Sequence, residues 1–301
     1  MPEKGHTAVG IGELLWDLFP EGKQLGGAPA NFAYICNLLG NRGIPASGAG
    51  TDKLGEEALA RLEQLGLTAE FVQRDDIHPT GAVRVQVDDQ GQPAFQIAEN
   101  VAWDCLEWTA AWQQLAVDAD AICFGTLAQR SSQSRRTIRS FLQAARHNAI
   151  RIFDVNLRQN FYSVEIIAES MRLASIVKLN HEELSIVMEL LGCSHRREVD
   201  SARGLLAEFD LNLVCVTRGN SGSILISASE CNEHSGFKVK VADTVGAGDA
   251  FTAGLAHGLL RGRPLAEVND LANRCGAWVA SQRGAMPAAP AKGLRQRLAE
   301  L

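Results

Sequence analysis

The chain has 301 residues, of which 46% are hydrophobic and 21% are charged, and its formal net charge is −6 at pH 7. This is the composition of an ordinary globular protein with room for one large domain. The negative charge argues against a broad nucleic-acid-binding surface. The sequence contains no run of about 18 apolar residues, so we expect no membrane span. The first residues lack a secretory signal, and the seven cysteines are scattered, odd in number and without a C-x-x-C pair. We therefore expect a cytoplasmic protein with reduced cysteines and neither a nucleic-acid nor a membrane partner.

The N-terminal residues predict a strand followed by a helix. His6–Glu13 form an apolar strand pattern, which Leu14–Phe19 continue outward. Asp17 interrupts this pattern and is typical of a turn or edge position. In Gln24–Gly40 two glycines, which allow close backbone approach, precede a helical pattern. Asn31 in its first turn is either a solvated or capping amide or a hydrogen-bonding group that faces a polyol.

The next part of the chain predicts a β-α-β unit and then a hairpin. Strand, helix and strand patterns cover Ile44–Ala49, Lys53–Leu65 and Ala69–Gln73. Thr80–Val87 and Pro93–Ile97 alternate around Asp88–Gly91, as the strands of a hairpin do. Two strands are too few to form a domain. We therefore expect a small β lid, inserted from about residues 14–19 and 80–98 into a single α/β domain that spans residues 1–301.

The α/β alternation returns after the hairpin and continues to the C-terminus. Further strand patterns cover Ala119–Gly125, Ile150–Val155, Ser175–Leu179, Leu211–Thr217 and Ser223–Ile226, and helix patterns cover Ser131–Asn148, Ala266–Gln282 and Gly293–Glu300. Together they predict a mostly parallel central sheet flanked by helices. Open α/β sheets bind ligands at the carboxyl ends of their strands. Arg158, just after one of these strands, is therefore a candidate ligand contact.

Two stretches place polar groups at helix starts. Asn180 with Glu183 forms a capping box, and such a helix start can also hold a hydrated cation. In Val241–Leu260 an apolar strand end leads into the residues Gly246-Ala247-Gly248-Asp249 and then into an apolar helix. Three backbone N–H groups there would point into open space and attract an anion. Asp249 is then either a base that accepts a hydroxyl proton or an acidic residue that only offsets the helix dipole.

Three separated motifs together resemble the PfkB (ribokinase-like) family of carbohydrate kinases. They are GGAPAN at residues 26–31, NHEE at 180–183 and DTVGAGDAF at 243–251. The stretches GELLWDLFP, AENVAWD (98–104) and FDVNLR (153–158) look most like bacterial fructokinases. The resemblance covers nearly the whole chain in order. It implies a ribokinase-like α/β fold in which the early hairpin is the lid.

The resemblance also implies an ATP-dependent phosphotransferase for a sugar hydroxyl, with fructose as the expected hexose and with ATP and Mg²⁺ as cofactors. Asp249 would be the base, and the backbone of Gly246, Ala247 and Gly248 would form the anion hole. The residues that would face the sugar are Asp17, Gly27, Asn31 and Arg158. Those that would lie along ATP are Asn180, Thr217, Gly219, Gly222 and Asn273. Glu183 would hold hydrated Mg²⁺ through water.

A potassium site is a further implication of the resemblance. Its residues would be Asp243, Val245, Val279 and Gly284. Ala288 stands where some relatives offer a side-chain oxygen to this cation. The K⁺ site would therefore be incomplete or completed by water.

Other functions are compatible with the same residues. The first alternative keeps the fold and changes the substrate: a kinase of ribose, 2-keto-3-deoxygluconate, a sugar phosphate or a nucleoside. A sugar phosphate requires basic residues near the sugar, and the candidates are Arg158 and Arg84, so we favour an unphosphorylated hexose. A catalytically silent, sugar-binding regulator is the second alternative, because a fold alone never proves activity. A homodimer joined through the lids and a monomer both agree with the sequence.

Overall fold

The computed structural model describes residues 5–19, 22–87, 93–193, 197–291 and 293–301. In this part of the chain the strands are β1 (Thr7–Ile11), β2 (Leu15–Phe19), β3 (Gly22–Gly26), β4 (Arg42–Gly50), β5 (Val72–Asp75), β6 (Gly81–Val87), β7 (Pro93–Ile97), β8 (Ala121–Gly125), β9 (Ile150–Asp154), β10 (Ile176–Asn180), β11 (Leu213–Thr217), β12 (Ser223–Ile226) and β13 (Cys231–His234). The helices are α1 (Ala28–Leu38), α2 (Lys53–Gln64), α3 (Ala110–Asp118), α4 (Ser132–Ala144), α5 (Val164–Leu173), α6 (His181–Leu190), α7 (Glu198–Glu208), α8 (Ala247–Leu260), α9 (Leu265–Ala280) and α10 (Leu294–Ala299). Among these described helices, none combines the length and the apolar character that crossing a membrane requires.

The main element is a nine-stranded sheet in the order β13-β12-β11-β10-β9-β8-β1-β4-β5. Neighbours from β11 to β5 pair in parallel, whereas β12 and β13 are added antiparallel at one edge. Adjacent residues of one strand, such as Ile152 and Phe153 on β9, belong to separate cores on the two faces. Burial on both faces is typical of parallel sheets covered by helices. The predicted mostly parallel sheet flanked by helices is therefore confirmed, and the carboxyl ends of β1, β9, β10 and β11 lie along one edge.

A second sheet has four strands in the order β3-β2-β6-β7. In it, β2 pairs in parallel with β6 and antiparallel with β3. The prediction that residues 14–19 continue β1 outward was wrong, because the backbone turns at Gly12, with φ 149°, and β2 belongs to this small sheet. Asp17 accordingly lies in an inner strand and not at a turn or edge. The hairpin turn predicted at Asp88–Gly91 lies outside the described residues.

Some predicted elements match the structure and others differ from it. In Gln24–Gly40 the helix predicted after the two glycines is formed as α1, while the residues before it complete β3, and Gly27, with φ 111°, separates the two. Val241 is 57% exposed and lies in no strand, so the strand end predicted there was wrong. The strands β3 and β13 and the helices α3, α5 and α7 were not predicted at all.

Helix α1 lies directly on β1 and β4 because glycines at the contact have no side chains. A Cβ on Gly10 would stand 2.0 Å from the Pro29 carbonyl oxygen, and one on Gly43 would stand 1.9 Å from that of Ala33. Backbone therefore packs on backbone, which brings the start of α1 to the carboxyl end of β1.

This close packing predicts that Gly43→Ala destabilises the fold. The added methyl group overlaps the Ala33 carbonyl, and forcing extra atoms into a packed core typically costs about 1–3 kcal/mol. At Gly204, in α7, nothing lies within 4 Å of an added Cβ. Gly204→Ala is the matched control and should be neutral or stabilising by up to about 1 kcal/mol. Urea unfolding of the two variants tests this, and equal midpoints would contradict the packing argument.

Candidate active site

Two helices begin at the carboxyl edge of the large sheet, and one hydrogen bond joins their first turns. Helix α1 carries Asn31 one turn from its start, and α8 carries Asp249 as its third residue. Asn31 Nδ2 donates to Asp249 Oδ2 at 2.8 Å. Asn31 Oδ1 is buried without a partner, a cost that a bound hydroxyl or water would remove. The predicted sugar contact and the predicted base are therefore in direct contact.

The Asp249 carboxyl has the electrostatic properties of a general base. Burial raises its pKa to about 6, and the charge of Asp154 adds to this effect. The hydrogen bond from Asn31 and the charges of Lys178 and Arg158 act in the opposite direction. A carboxyl with this pKa is ionised at neutral pH and still basic enough to take a proton from a hydroxyl.

The start of α8 leaves backbone N–H groups for an anion, although fewer than predicted. Gly246 precedes the helix with φ 77°, and a Cβ there would stand 2.4 Å from the Cβ of Ala285. No side chain caps this helix. The Ala247 N–H, however, donates to the Thr244 carbonyl at 3.2 Å, so the expectation of three free amides was wrong. The tight loop before the helix uses that N–H for its own closure.

A buried lysine lies beside the same helix start. Lys178 Nζ on β10 is 2.9 Å from Oδ1 of Asp154, the last residue of β9. Thr252 of α8 donates to Oδ2 of the same carboxylate at 2.9 Å. Burial opposes the charge of Lys178, but the surrounding carboxylates, Asp154 first, outweigh it and raise the lysine pKa above its ordinary value. A Cβ on Gly248 would stand 3.1 Å from this ammonium group, so a positive charge faces the place where an anion would bind.

Glu13, just after β1, is a second buried carboxyl at the start of α1. Its Oε1 accepts from the Ala28 N–H at 3.3 Å, and its Oε2 is buried without a partner. Burial raises its pKa to about 7; the charge of Asp249 acts in the same direction and that of Arg158 opposes it. Gly27 is required here, because a Cβ would stand 2.4 Å from the Glu13 carbonyl oxygen. The side chain of Glu13 thus holds the helix start that carries Asn31.

The small sheet contributes a third carboxyl, that of Asp17. Burial raises its pKa to about 6, against the charge of Arg158. The exposed Arg158 lowers the pKa of Glu13 and of Asp249 as well. Three acidic groups, which follow β1, lie on β2 and begin α8, are therefore each electrostatically linked to the same arginine.

The capping box predicted at the start of α6 is formed. Asn180 Oδ1 accepts from the N–H groups of Glu182 and Glu183, and Glu183 Oε2 accepts from the Asn180 N–H at 2.8 Å. The second Glu183 oxygen accepts from the Leu157 N–H at 2.9 Å. Glu183 is buried, and it ties the loop after β9 to the end of β10. Each of its oxygens accepts one backbone N–H, so the side chain is held in one orientation at the strand end.

Three of the residues predicted to lie along ATP stand at the end of β11 or in the turn after it, next to that capping box. Thr217 is paired with Asn180 across the two strands. Gly219 and Gly222 form a tight turn, and Gly222 is at φ 83°, where a Cβ would stand 2.0 Å from the His234 carbonyl oxygen. Asn273 is placed differently, since its amide N–H groups bond inside the protein to Ser223 and Asn269.

Three of the four residues predicted for potassium come together in one loop cluster. Asp243 Oδ1 accepts from the Val245 N–H at 3.0 Å, and its Oδ2 accepts from the Gly284 N–H at 3.1 Å. Val279 lies in the last turn of α9, and its carbonyl accepts from the Gln282 N–H at 2.8 Å. The carboxylate of Asp243 thus already organises the loop that precedes Gly246.

The sequence interpretation missed Glu13, Asp154 and Lys178 as site residues. Each stands in or just after an apolar strand, in the stretches AVGIGELL, RIFDVN and IVKLN. Charged residues are almost never fully buried without a partner. A charge at the carboxyl end of a buried parallel strand was therefore the signal that could have found them.

Comparison with known proteins agrees with this geometry. Residues 20–292 match the model of the pfkB family carbohydrate kinases. The fructokinase of Salmonella typhimurium is 31% identical to this chain in an alignment of length 307, gaps included, which covers 93% of this chain and 95% of the relative. A sugar kinase of Pyrococcus horikoshii, solved in complex with ATP, superposes with a TM-score of 0.79 at 27% identity and covers 93% of each chain. Aminoimidazole riboside kinase from Salmonella enterica, complexed with aminoimidazole riboside and an ATP analog, gives a TM-score of 0.79 at 25% identity, with 98% and 99% covered.

These similarities extend over the large sheet, both helix starts and the small sheet. They define a phosphotransferase with an alcohol group as acceptor, on a ribokinase-like fold. The chain belongs to the pfkB family of carbohydrate kinases.

The buried Glu13 leads to a prediction about stability and pH. Its pKa in the fold, about 7, is above the ordinary 4.5, so the folded protein holds this proton more tightly than the unfolded chain does. The fold therefore loses stability as the pH rises from about 4.5 to about 7, by at most roughly 3 kcal/mol. Glu13→Gln removes that loss, and its stability relative to the wild type should increase between pH 5 and pH 8.

Urea unfolding midpoints at the two pH values measure this change. Glu63→Gln, at an exposed position of α2, is the matched control and should follow the wild type. If the unfolding midpoints of Glu13→Gln and the wild type differ by the same amount at both pH values, the buried environment assigned to Glu13 is contradicted.

Proposed function

We propose that this protein transfers the γ-phosphoryl group of ATP to a hydroxyl group of an unphosphorylated hexose, with fructose as the substrate. The observation that carries the proposal is the contact between Asn31 and Asp249 at the uncapped start of α8. This contact brings a side-chain amide, a carboxylate and an uncapped helix start together, and that combination supports a hydroxyl-binding group, a base and an anion site in one place. The similarity to fructokinases supports the choice of sugar.

Asp249 is the base in this proposal. A sugar hydroxyl bound beside Asn31 gives its proton to the Asp249 carboxylate while its oxygen attacks the γ-phosphorus. The bond between that phosphorus and the bridging oxygen of ADP breaks, and ADP leaves. Phosphoryl transfer depends mainly on positioning and on charge neutralisation. The hydrogen bond from Asn31 keeps the carboxylate in place during the transfer.

The start of α8 and Lys178 provide the positive field for the transferring group. The remaining N–H groups of the first turn stabilise charge that develops on the phosphoryl oxygens. Lys178, beside Gly248, adds a full positive charge that Asp154 keeps in position. Because the lysine is buried and paired, its charge needs no reorganisation when the substrate reacts.

The nucleotide lies along Thr217 and the turn from Gly219 to Gly222 in this proposal. Asn180 and Glu183, at the neighbouring strand end, face hydrated Mg²⁺ through water. The N–H groups that bind the two Glu183 oxygens hold the carboxylate in place at that strand end. When bound, the ion would neutralise phosphate charge.

The charges near Asn31 favour a neutral sugar. Glu13, Asp17 and Asp249 supply three carboxyl groups, whereas the cation coupled to all three is Arg158. The phosphate group of a sugar phosphate would be repelled by these carboxylates. Asp17, Gly27, Asn31 and Arg158 are therefore proposed as the contacts to the sugar hydroxyls.

The small sheet acts as the lid of the site in this proposal. It carries Asp17, and it is joined to the large-sheet body by a hydrogen bond from Trp16 Nε1 to the Leu54 carbonyl at 2.9 Å. Closing a lid over a phosphoryl donor keeps water from competing with the sugar hydroxyl. A homodimer through this sheet stays a prediction.

Asp243 and the neighbouring backbone are proposed to bind K⁺. The Asp243 carboxylate joins two segments, since Oδ1 accepts from Val245 in the loop that leads to Gly246 and Oδ2 accepts from Gly284 after α9. A monovalent cation there would fix the loop that shapes the start of α8. The carbonyl of Val279 is used by its own helix end, so this residue is the weakest member of the set.

A nucleoside kinase is the second candidate. The similarity to aminoimidazole riboside kinase of Salmonella enterica favours it, because the match covers 98% of this chain. The same base and helix start would then phosphorylate a hydroxyl of the ribose ring.

Asp249→Asn tests the assignment of the base. Its amide oxygen still accepts from Asn31 but cannot take a proton, so turnover should fall by about 10²–10⁴-fold with ATP binding retained. Below a pH of about 6 the wild-type kcat/KM should also decline, because protonated Asp249 cannot act as a base. Asp120→Asn, at the opposite end of β1, is the control. Near-normal turnover in Asp249→Asn would refute the base.

A small substrate panel tests the choice of sugar. ADP release should be fastest, in kcat/KM, with fructose and slower with ribose, 2-keto-3-deoxygluconate and aminoimidazole riboside. A strong response to one of these together with none to fructose would replace the proposed substrate. Turnover with no member of the panel, while sugar binding is detected by calorimetry, would favour a silent sugar-binding protein.

A further inference from the structure

A cluster of three reactive side chains lies outside the phosphoryl-transfer site, at the root of the small sheet. The chain enters β6 at Gly81 and leaves β7 at Ile97. His78 lies just before the entry and Cys105 follows the exit. The contact between Cys105 and His78 therefore joins the two segments that connect β6 and β7 to the rest of the molecule. Asp75, the last residue of β5, is hydrogen-bonded to His78.

The contacts within the cluster have a defined order. Asp75 Oδ1 accepts from the N–H groups of Ile77 and His78, each at 2.8 Å. Asp75 Oδ2 is 2.8 Å from His78 Nδ1, and His78 Nε2 is 3.6 Å from Cys105 Sγ. The Cys105 carbonyl accepts from Gln133 Nε2 at 2.9 Å. All three residues are half-buried, so they are held in place and small molecules can approach them.

The carboxylate of Asp75 decides the tautomer of His78. It can only accept a hydrogen bond, so His78 Nδ1 carries the proton and Nε2 presents its lone pair to the thiol. A nucleophile, a base within reach of it and a third group that orients the base form the arrangement that activates a thiol or hydroxyl. Asp75, His78 and Cys105 have this arrangement, with Cys105 as the nucleophile, His78 as the base and Asp75 as the orienting group.

The same cluster is a poor metal site. Cys105 and His78 face each other, but Asp75 faces the far nitrogen of the imidazole. A zinc ion takes at least three ligands from a protein in catalytic sites and four in structural ones. Because the Asp75 carboxylate is hydrogen-bonded to His78 Nδ1, only His78 Nε2 and Cys105 Sγ of this cluster remain to contact a metal.

We propose that Cys105 is a modification site, a thiol activated by His78 and Asp75 that exchanges with small disulfides. The Cys105 thiol passes its proton to His78 Nε2, and Asp75 stabilises the imidazolium that forms. The thiolate attacks one sulfur of a disulfide RSSR, a bond forms between Cys105 and SR, and the other RS⁻ leaves with the proton from His78. The products are a mixed disulfide and one thiol, and the exchange needs no further oxidant.

The charges around Cys105 explain why the base is needed. Burial raises the pKa of the Cys105 thiol, and the carboxylates of Asp75 and Asp104 add to this. Arg130 donates two hydrogen bonds of 2.8 Å to Asp104. A free thiolate is therefore scarce at neutral pH, and attack depends on transfer of the proton to His78.

The experiment measures the reaction of Cys105 with dithiodipyridine by the release of thiopyridone. The starting variant is Cys193→Ser/Cys231→Ser, which removes the two exposed thiols and leaves Cys105 with four buried ones. Adding His78→Gln should slow the reaction at neutral pH by at least about 10-fold, because glutamine cannot accept the proton. His147→Gln, an exposed histidine in the turn after α4, is the matched control and should leave the rate unchanged.

Two outcomes would overturn the site: a rate in His78→Gln within twofold of the starting variant, or a labelled peptide that contains a cysteine other than Cys105. Adding Cys105→Ser to the starting variant should abolish the rapid release of thiopyridone that is assigned to Cys105. Thermal unfolding checks that each variant is folded. This labelling does not depend on kinase activity, so it stands even if the proposed function fails.

A second measurement, which rests on the proposed function, asks whether the modification reaches the small sheet. The mixed disulfide displaces Cys105 from His78 at the root of that sheet, which should raise the sugar KM several-fold and leave the KM for ATP unchanged. A sugar KM that is unchanged after complete labelling would overturn this link to the small sheet.

Discussion

The structure depends on one constraint: two helices must begin at the same place, close enough for the first turn of one to hydrogen-bond the first turn of the other. The bond between Asn31 and Asp249 is the result. It is possible because α1 packs backbone to backbone on β1 and β4 at Gly10 and Gly43. Two positive helix ends then converge on one small volume. Such a volume attracts anions and lowers the cost of keeping carboxylates there.

The buried charges of the site balance one another through that geometry. Lys178 neutralises Asp154, and Thr252 links the pair to α8. Asp249 and Glu13 are left without a buried cation of their own, which is why burial raises the pKa of both. The same lack of compensation that weakens the fold at high pH makes Asp249 basic enough for its proposed role. Stability and reactivity here have one physical cause.

Part of the fold and site could be predicted from the sequence because the signals are local. The alternation of apolar strands and helices indicated the parallel sheet, and the spacing of Asn180 and Glu183 indicated a helix cap that the structure forms. Glycines next to Asp249 and Asn31 marked the helix starts. The strand β3, just before α1, was not predicted, because it depends on pairing with β2 across the small sheet and not on a local pattern.

The sequence by itself determined the fold class, the kinase motifs and the residues at the start of α8, since periodicity and short glycine motifs act over a few neighbouring residues. The tertiary structure alone decided that Asn31 reaches Asp249, 218 residues away in the chain. It also decided that Glu13 and Lys178 lie at the site, that β2 leaves the large sheet, and that Cys105 meets His78. These facts depend on which strand ends and helix starts become neighbours, and that depends on packing between distant segments, which no local pattern contains.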